Sequence, residues 1–259
     1  TLSRVHVGYR KLGEGSFLQG SCNIDTVCPE GDDWREEIAS AAVYGFGGTT
    51  ACSGFMINNT AEDEAPLFAT ANHCGLRSSN AGSLTVYWNY VSPSCGDLSG
   101  GSLNTYQSGA TLRMRDRDSD WALALLDDAP DEAWGVSWAG WDASGAAPTS
   151  AVAIHHPGTD EKAISFENDA LRITEAYGYS ENLSGTHILV PDWDLGTTEG
   201  GSSGSPLFDQ DHRAVGVLTG GYAACGNDES DWYGRLYSAW DASSSDSGRL
   251  DVWLDPGAT

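Results

Sequence analysis

Residues 200–218, GGSSGSPLFDQDHRAVGVL, carry the clearest structural signal in the chain. Two short apolar runs, 206–208 and 214–218, flank the polar, turn-prone residues 209–212. Runs of this length separated by such a turn predict an antiparallel β-hairpin. Working outward from this hairpin, short β-branched or aromatic runs bounded by Gly, Pro, Asn, Asp or Ser recur along the chain, while long helical periodicity is scarce.

The pattern therefore predicts an all-β sandwich or barrel. We expect only two helices, at residues 32–42 and 249–254. The predicted strands cover residues 49–57, 66–70, 83–91, 111–115, 121–126, 151–155, 170–177, 187–190, 206–208, 214–218 and 233–240.

Composition indicates a folded, strongly acidic chain. It has 259 residues, with 37 acidic and 13 basic side chains and a formal net charge of −24. Nucleic-acid binding needs clustered Lys and Arg, and the few basic residues here are scattered, so we expect no nucleic-acid partner. The longest clean apolar run, residues 121–126, is far shorter than the roughly 20 residues of a membrane span, so we expect no membrane partner. The charge favours cationic or neutral substrates, and we expect a monomer.

The cysteines indicate an oxidising compartment. An even number at wide spacing, with no close Cys-X-X-Cys pair, is typical of disulfides in a secreted protein, although the spacing does not choose among the pairings. We therefore expect a secreted protein with no metal and no cofactor. The six positions are Cys22, Cys28, Cys52, Cys74, Cys95 and Cys225.

Three segments together contain the groups of a nucleophilic hydrolase. They are TANHC at 70–74, SDWAL at 119–123 and GGSSGSPL at 200–207. A serine hydroxyl is a weak nucleophile until a neighbouring base takes its proton, and an imidazole held by a carboxylate is such a base. The segments supply His73, Asp120 and Ser203 in the chain order that chymotrypsin uses. The glycines before Ser203 would let the N–H groups of Gly201 and Ser203 converge on an oxyanion.

These motifs resemble those of the trypsin-like serine endopeptidases, and further segments are similar to the bacterial lysyl endopeptidases. The further segments are GSCNID at 20–25, YWNY at 87–90, WAGWD at 138–142, AIHHP at 153–157, SD at 230–231 and WLDP at 253–256. The resemblance implies two antiparallel Greek-key β-barrels with the active site in the cleft between them. It divides the chain into an extension at 1–21, a first barrel at 22–128 with His73 and Asp120, and a second barrel at 129–259 with Ser203.

The resemblance also implies the disulfide pairing and the specificity pocket. The pairs would be Cys22 with Cys225, Cys28 with Cys95, and Cys52 with Cys74. Trypsins carry an acid six residues before the nucleophile, where this chain has Thr197. In the lysyl branch the pocket acid follows the nucleophile, which points to Asp231, with Glu199 as a supporting acceptor.

The resemblance and the composition both favour cleavage after Lys. The chain has only two Lys, Lys11 and Lys162, beside eleven Arg, and a lysine-specific protease with few Lys would resist self-cleavage. An acidic, salt-adapted surface would also lose Lys. Lys11 is a candidate self-processing site.

The substrate-binding strand departs from the family pattern. Where lysyl endopeptidases have His before the Gly-Gly pair, this chain has Thr219 before Gly220 and Gly221, and Tyr177 stands in place of the partner Trp. This departure could admit Arg. The alternatives are a protease of other preference, such as a glutamyl endopeptidase, and an inactive protease-like binding module.

Overall fold

The computed structural model describes residues 18–47 and 49–257, and most of its regular structure is β. The three helices are α1 Arg35–Ser40, α2 Leu236–Trp240 and α3 Asp251–Leu254. In chain order the strands are β1 Ile24–Asp25, β2 Ala41–Phe46, β3 Thr49–Met56, β4 Leu67–Ala71, β5 Leu84–Tyr87, β6 Tyr106–Ser108, β7 Ala110–Arg115, β8 Trp121–Leu126, β9 Ala151–His155, β10 Ala163–Glu167, β11 Arg172–Thr174, β12 His187–Val190, β13 Pro206–Asp209, β14 Ala214–Gly221 and β15 Asp231–Arg235.

The strands form two antiparallel sheets, which confirms the predicted fold class. The first sheet has the order β6-β5-β2-β3-β4-β8-β7 and the second the order β1-β10-β9-β13-β14-β15-β12-β11. Each sheet packs around an apolar cluster of its own, with Tyr44, Phe68 and Trp88 in the first and Ile188 and Tyr233 in the second. A third cluster, which includes Phe55, Trp121, Ile154, Phe208 and Val217, lies between the sheets and holds them together.

The segment that joins the two sheets is built into this interface. Ala139 pairs with Ile57 of the first half, and Trp141 pairs with Ala214 of the second. The indole N–H of Trp141 also donates to the carbonyl of Asn58 at 3.0 Å. A connection with such contacts on both sides fixes how the two halves sit against each other.

Most predicted strands are present, including the hairpin β13–β14, but two predicted elements differ from those in the structure. The predicted helix 32–42 gives way to a 3-10 turn, Pro29–Trp34, followed by α1, and β2 begins at Ala41. Residues 41–45 are all buried, so pairing in the sheet outweighs their helix propensity. The strand predicted at 233–240 ends at Arg235, and α2 begins at the next residue, Leu236.

The start of the described chain belongs to the second sheet, whereas the resemblance implies that the first barrel begins at residue 22. Strand β1 pairs with β10, and Cys22 is bonded to Cys225. The strands of the first sheet all lie within residues 41–126. Of the predicted extension 1–21, residues 1–17 with Lys11 lie outside the described residues.

No helix among the residues that the structure describes combines the length and the apolar character needed to cross a membrane.

Candidate active site

His73 and Asp120 meet because their strands are neighbours. His73 lies in a 3-10 turn, Asn72–Cys74, directly after β4, and Asp120 directly precedes β8. These strands pair with Ala71 opposite Trp121. His73 Nδ1 lies 2.6 Å from Asp120 Oδ2, and the backbone N–H of His73 donates to Asp120 Oδ1 at 2.8 Å. Both carboxylate oxygens therefore hold one residue, which fixes the imidazole ring.

The two side chains differ in their access to solvent. The Asp120 side chain is 8% exposed and the His73 side chain is 40% exposed. Asp120 has a left-handed backbone with φ of 60°, a conformation that costs a non-glycine residue about 1–2 kcal/mol. Its carbonyl accepts a hydrogen bond from Asn72 N at 2.7 Å, which helps to hold it there. The carboxylate is thus shielded, while the imidazole remains open to a substrate.

Three disulfides join the cysteine pairs that the resemblance implies. They are Cys22–Cys225, Cys28–Cys95 and Cys52–Cys74. The Cys52–Cys74 bond ties the turn that contains His73 to strand β3. Cys74 Sγ lies 4.0 Å from His73 Nε2.

The loop that carries Ser203 is shaped by glycines. Gly201 has φ of 97°, and a Cβ there would lie 2.5 Å from Thr159 N. Gly204 has φ of 79°, and a Cβ there would lie 2.5 Å from Ser53 O. The loop therefore packs closely against both halves of the molecule, and no other residue type fits these two positions without displacement.

Ser203 is tied to the first sheet next to the histidine turn. Its carbonyl accepts a hydrogen bond from Ser53 N at 2.9 Å. Ser53 follows Cys52, whose disulfide partner Cys74 follows His73. The structure therefore brings the loop of Ser203 next to the turn that contains His73.

Two backbone N–H groups of this loop are free to bind an anion. The carbonyl of Gly200 accepts from Gly158 N at 2.7 Å, and that of Ser202 accepts from Ser205 N at 3.0 Å. In a trans peptide the following N–H points the opposite way, so the N–H groups of Gly201 and Ser203 face away from these contacts. Within residues 18–47 and 49–257, neither of these two nitrogens donates a hydrogen bond to the protein.

Asp231 is a buried carboxylate at the start of β15. It is 1% exposed, and its Oδ2 accepts from Trp193 Nε1 at 2.8 Å and from Thr198 Oγ1 at 2.7 Å. Its Oδ1 faces Gly221, where a Cβ would collide with it. Burial raises the pKa of the Asp231 carboxyl. The residue thus joins β14 and the segment before Ser203. No motif in the sequence indicates Trp193 or Thr198 as its partners.

Tyr177 and Thr219 lie at the end of β14, but they do not form a stacked pair. Tyr177 is 49% exposed, and its ring centroid lies 5.3 Å from that of Trp232. Its hydroxyl lies 3.1 Å from the position that a Cβ would take on Gly220. Thr219 Oγ1 instead lies 3.0 Å from Nε2 of His187, which is buried beneath the strand. Desolvation lowers the pKa of the His187 imidazole, which favours its neutral form.

The other acid near the nucleophile, Glu199, holds the start of the described chain. Its Oε2 accepts from Gly20 N at 2.9 Å and from Asn23 Nδ2 at 3.0 Å. This arrangement agrees with a supporting acceptor. Asp231, in contrast, lies against the Gly-Gly end of β14.

Comparison with known proteins identifies a family and a similar protein of known activity. A family model described as lysyl endopeptidase, C-terminal domain, matches residues 18–234. Lysyl endopeptidase of Pseudomonas aeruginosa is 34% identical over an alignment of 241 residues that covers 86% of this chain and 50% of that protein. The chain thus spans about half the length of this relative.

Solved structures of similar fold are proteases of low sequence identity. A structure of an HtrA-type protease with a tripeptide has a TM-score of 0.53 at 13% identity, over 80% of this chain and 60% of that chain. A Glu endopeptidase in complex with MPD has a TM-score of 0.49 at 18% identity, over 84% of this chain and 93% of that chain. The first of these likenesses supports the fold alone.

Proposed function

The chain belongs to the family of lysyl endopeptidase C-terminal domains, and on this premise we propose that it is a serine endopeptidase that hydrolyses peptide bonds after Lys. The observation that carries the proposal is the pair of hydrogen bonds that His73 donates to the Asp120 carboxylate, next to the loop of Ser203. This arrangement prepares an imidazole to act on a serine hydroxyl, because the carboxylate fixes the tautomer with hydrogen on Nδ1 and leaves Nε2 as the base.

The chemistry would proceed through an acyl-enzyme. Ser203 Oγ attacks the scissile carbonyl carbon while His73 Nε2 takes the hydroxyl proton, and the carbonyl oxygen becomes an oxyanion that Gly201 N and Ser203 N bind. The tetrahedral intermediate collapses as His73 gives the proton to the leaving amine. A water then attacks the ester carbon with His73 again as base, which releases the acid product and restores Ser203.

Asp231 would supply the preference for a basic side chain. A buried carboxylate that already pays a desolvation penalty gains most from a cation brought against it. Its contacts with Trp193 and Thr198 hold it in place before substrate arrives. A glutamyl side chain would meet like charge here, and this opposes the alternative of a glutamyl endopeptidase.

The choice between Lys and Arg would depend on the rim of this pocket. Because Tyr177 packs on Trp232 and Thr219 on His187, the rim formed by these residues lacks a stacked His and aromatic pair. We therefore expect Arg to be accepted as well as Lys, although at a lower rate. The proposed partners are peptides and proteins with accessible basic side chains. The proposed reaction uses no cofactor. The three disulfides favour a secreted protein.

A matched set of peptide amides with Lys, Arg, Glu or Phe before the scissile bond tests the proposal. We expect kcat/KM to rank Lys above Arg, with Glu and Phe far below, and Ser203→Ala to abolish turnover. Equal values for Lys and Arg would contradict the Lys preference, and a preference for Glu would move the chain to the glutamyl alternative. No turnover of any peptide, together with no labelling of Ser203 by a fluorophosphonate, would favour the binding module.

A further inference from the structure

The dipeptide His155-His156 lies beneath the loop of Ser203, away from the proposed catalytic groups. Both side chains are fully buried. His155 ends β9 and precedes the 3-10 turn Pro157–Thr159, which packs against Gly201. A His-His pair suggests a metal site in sequence, but in the structure three of its four ring nitrogens already have hydrogen-bond partners.

The side chain of His155 bridges two serines. Its Nδ1 lies 2.8 Å from Ser202 Oγ, and its Nε2 lies 3.1 Å from Ser165 Oγ. Ser165 Oγ in turn donates to the carbonyl of Thr197 at 2.7 Å. Ser202 Oγ also accepts from the backbone N–H of Glu199 at 3.2 Å. The chain of contacts therefore starts and ends on the segment that leads into Ser203.

The protons of this network can be assigned. The single hydroxyl proton of Ser165 is given to a carbonyl, which has no proton to offer, so Ser165 Oγ must accept from Nε2–H of His155. A neutral imidazole protonated at Nε2 accepts at Nδ1, and Ser202 must therefore donate its hydroxyl proton there. Burial lowers the pKa of His155 to about 3, which keeps the ring neutral. Every polar atom of the three side chains then has a partner.

The backbone of the same dipeptide holds the other side of the loop. The N–H of His156 donates to Ser53 Oγ at 3.0 Å, and Ser53 Oγ donates to the carbonyl of Gly201 at 3.0 Å. The peptide that joins Gly201 to Ser202 is thus held from two sides. The free N–H groups of Gly201 and Ser203 lie immediately before and after it.

From this geometry we infer that His155 is a positioning residue for the oxyanion site, acting through the hydroxyl of Ser202. The inference rests on the proposed function, since its measurable effect is on the reactivity of Ser203. Displacing a catalytic group by about 1 Å can cost on the order of 10²-fold in rate. Loss of the contact between His155 and Ser202 should therefore slow acylation about 10²-fold without weakening substrate binding.

Replacement of His155 by two residues of different hydrogen-bonding capacity separates positioning from stability. Asn places its side-chain oxygen near the position of Nδ1 and can still accept from Ser202, whereas Leu cannot. We expect His155→Leu to lower kcat about 10²-fold with KM within about twofold, and His155→Asn to recover at least about tenfold of this loss. Ser165→Ala is the matched control, because it disrupts the same buried network but leaves the acceptor for Ser202, and its kcat should stay within about threefold of wild type.

Two further measurements keep the test decisive. If His155→Leu does not fold, Ser202→Ala removes the same hydrogen bond from the loop side. Labelling of Ser203 by a fluorophosphonate, in which Oγ displaces fluoride at phosphorus, needs the oxyanion site but no particular substrate side chain. If Ser203 of the wild type is labelled but the protein cleaves no Lys peptide, only the proposed substrate preference is refuted. Equal labelling rates for wild type and both His155 variants would overturn the positioning role.

Hydrogen exchange supplies a readout that does not depend on reactivity. The amides of Ser202 and Ser205 are bonded within the loop, to the carbonyls of Glu199 and Ser202. They should exchange faster in His155→Leu than in His155→Asn. Two results would show that His155 has only a structural role. One is equal protection of these amides in His155→Leu and His155→Asn. The other is a fall in kcat that tracks the fall in melting temperature across these two variants and Ser165→Ala.

Discussion

Asp231→Asn is the substitution that most directly tests the proposed pocket. The carboxylate is buried and its Oδ2 is held by Trp193 and Thr198, so the amide oxygen of Asn can take the same two hydrogen bonds. The variant then differs from wild type chiefly in charge. Two unit charges about 4 Å apart attract by about 4 kcal/mol at an effective dielectric constant near 20.

A loss of about 4 kcal/mol corresponds to a fall of about 10³-fold in kcat/KM for a Lys substrate. A peptide with norleucine in place of Lys carries no charge, so its kcat/KM should stay the same or rise. The melting temperature should change little. Removing a buried charge stabilises the folded state, and this offsets the poorer fit of the amide NH2 group at the position of Oδ1. The assay is steady-state hydrolysis of the two matched peptide amides, with circular dichroism melts of both proteins.

The control for this variant is Glu199→Gln, which alters the other acid near the nucleophile. Because Glu199 binds Gly20 and Asn23, we expect its loss of charge to leave the ratio of Lys to norleucine cleavage unchanged. Two results would refute the reasoning. One is a fall of less than tenfold for Lys in Asp231→Asn, and the other is an equal fall for Lys and norleucine.

Three further substitutions test stability and specificity. Replacing both Cys22 and Cys225 by Ser opens a link of sequence separation 203, and the chain-entropy model gives a cost of about 5 kcal/mol, seen as a much lower urea midpoint. Desolvation raises the pKa of the Glu167 carboxyl in the folded protein to about 7, so the folded state becomes less stable as the pH rises toward and through 7. Glu167→Gln should therefore raise the melting temperature at pH 8 but not at pH 4. Lys162, the sole Lys among the described residues, is 1% exposed, so the wild type should resist self-cleavage there, whereas Arg117→Lys, in an exposed loop, should be cut after residue 117.

Each of these expectations has a clear contrary result. An unchanged urea midpoint in the double Ser variant would mean that the native disulfide is strained or that the unfolded chain stays compact. An equal gain in melting temperature at pH 4 and pH 8 would contradict a carboxyl that titrates near neutrality. An intact Arg117→Lys protein after long incubation, with Lys peptides being cut, would show that this loop does not reach an active site.

The groups of the proposed active site could be identified from the sequence because they lie in local motifs. His73, Asp120 and Ser203 each occur in a short segment, and the three segments are informative together. Strands β4 and β8 coincide with apolar runs, but their pairing with each other was not predicted. The partners of Asp231 could not be predicted. Trp193 lies 38 residues before Asp231 and reaches it only through the way the second sheet packs.

Predictions also failed where tertiary burial overrides local preference. The Ala-rich start of β2 looks helical in isolation, but it is buried between β3 and β5. The two residues of β1 give no pattern at all, since a two-residue strand is too short for any periodicity. Their place in the second sheet depends on β10, which lies about 140 residues further along the chain.

The disulfide Cys22–Cys225 has a consequence for the order in which the molecule can assemble during synthesis. In a growing chain Cys22 is synthesised 203 residues before its partner Cys225. During that interval Cys28, Cys52, Cys74 and Cys95 are available as wrong partners, and exchange between thiols and disulfides must correct any such pairs. The Cys22–Cys225 bond can therefore close only after Ser203 and every other residue before Cys225 have been synthesised, so a chain with all three native disulfides is one that already contains the loop of Ser203.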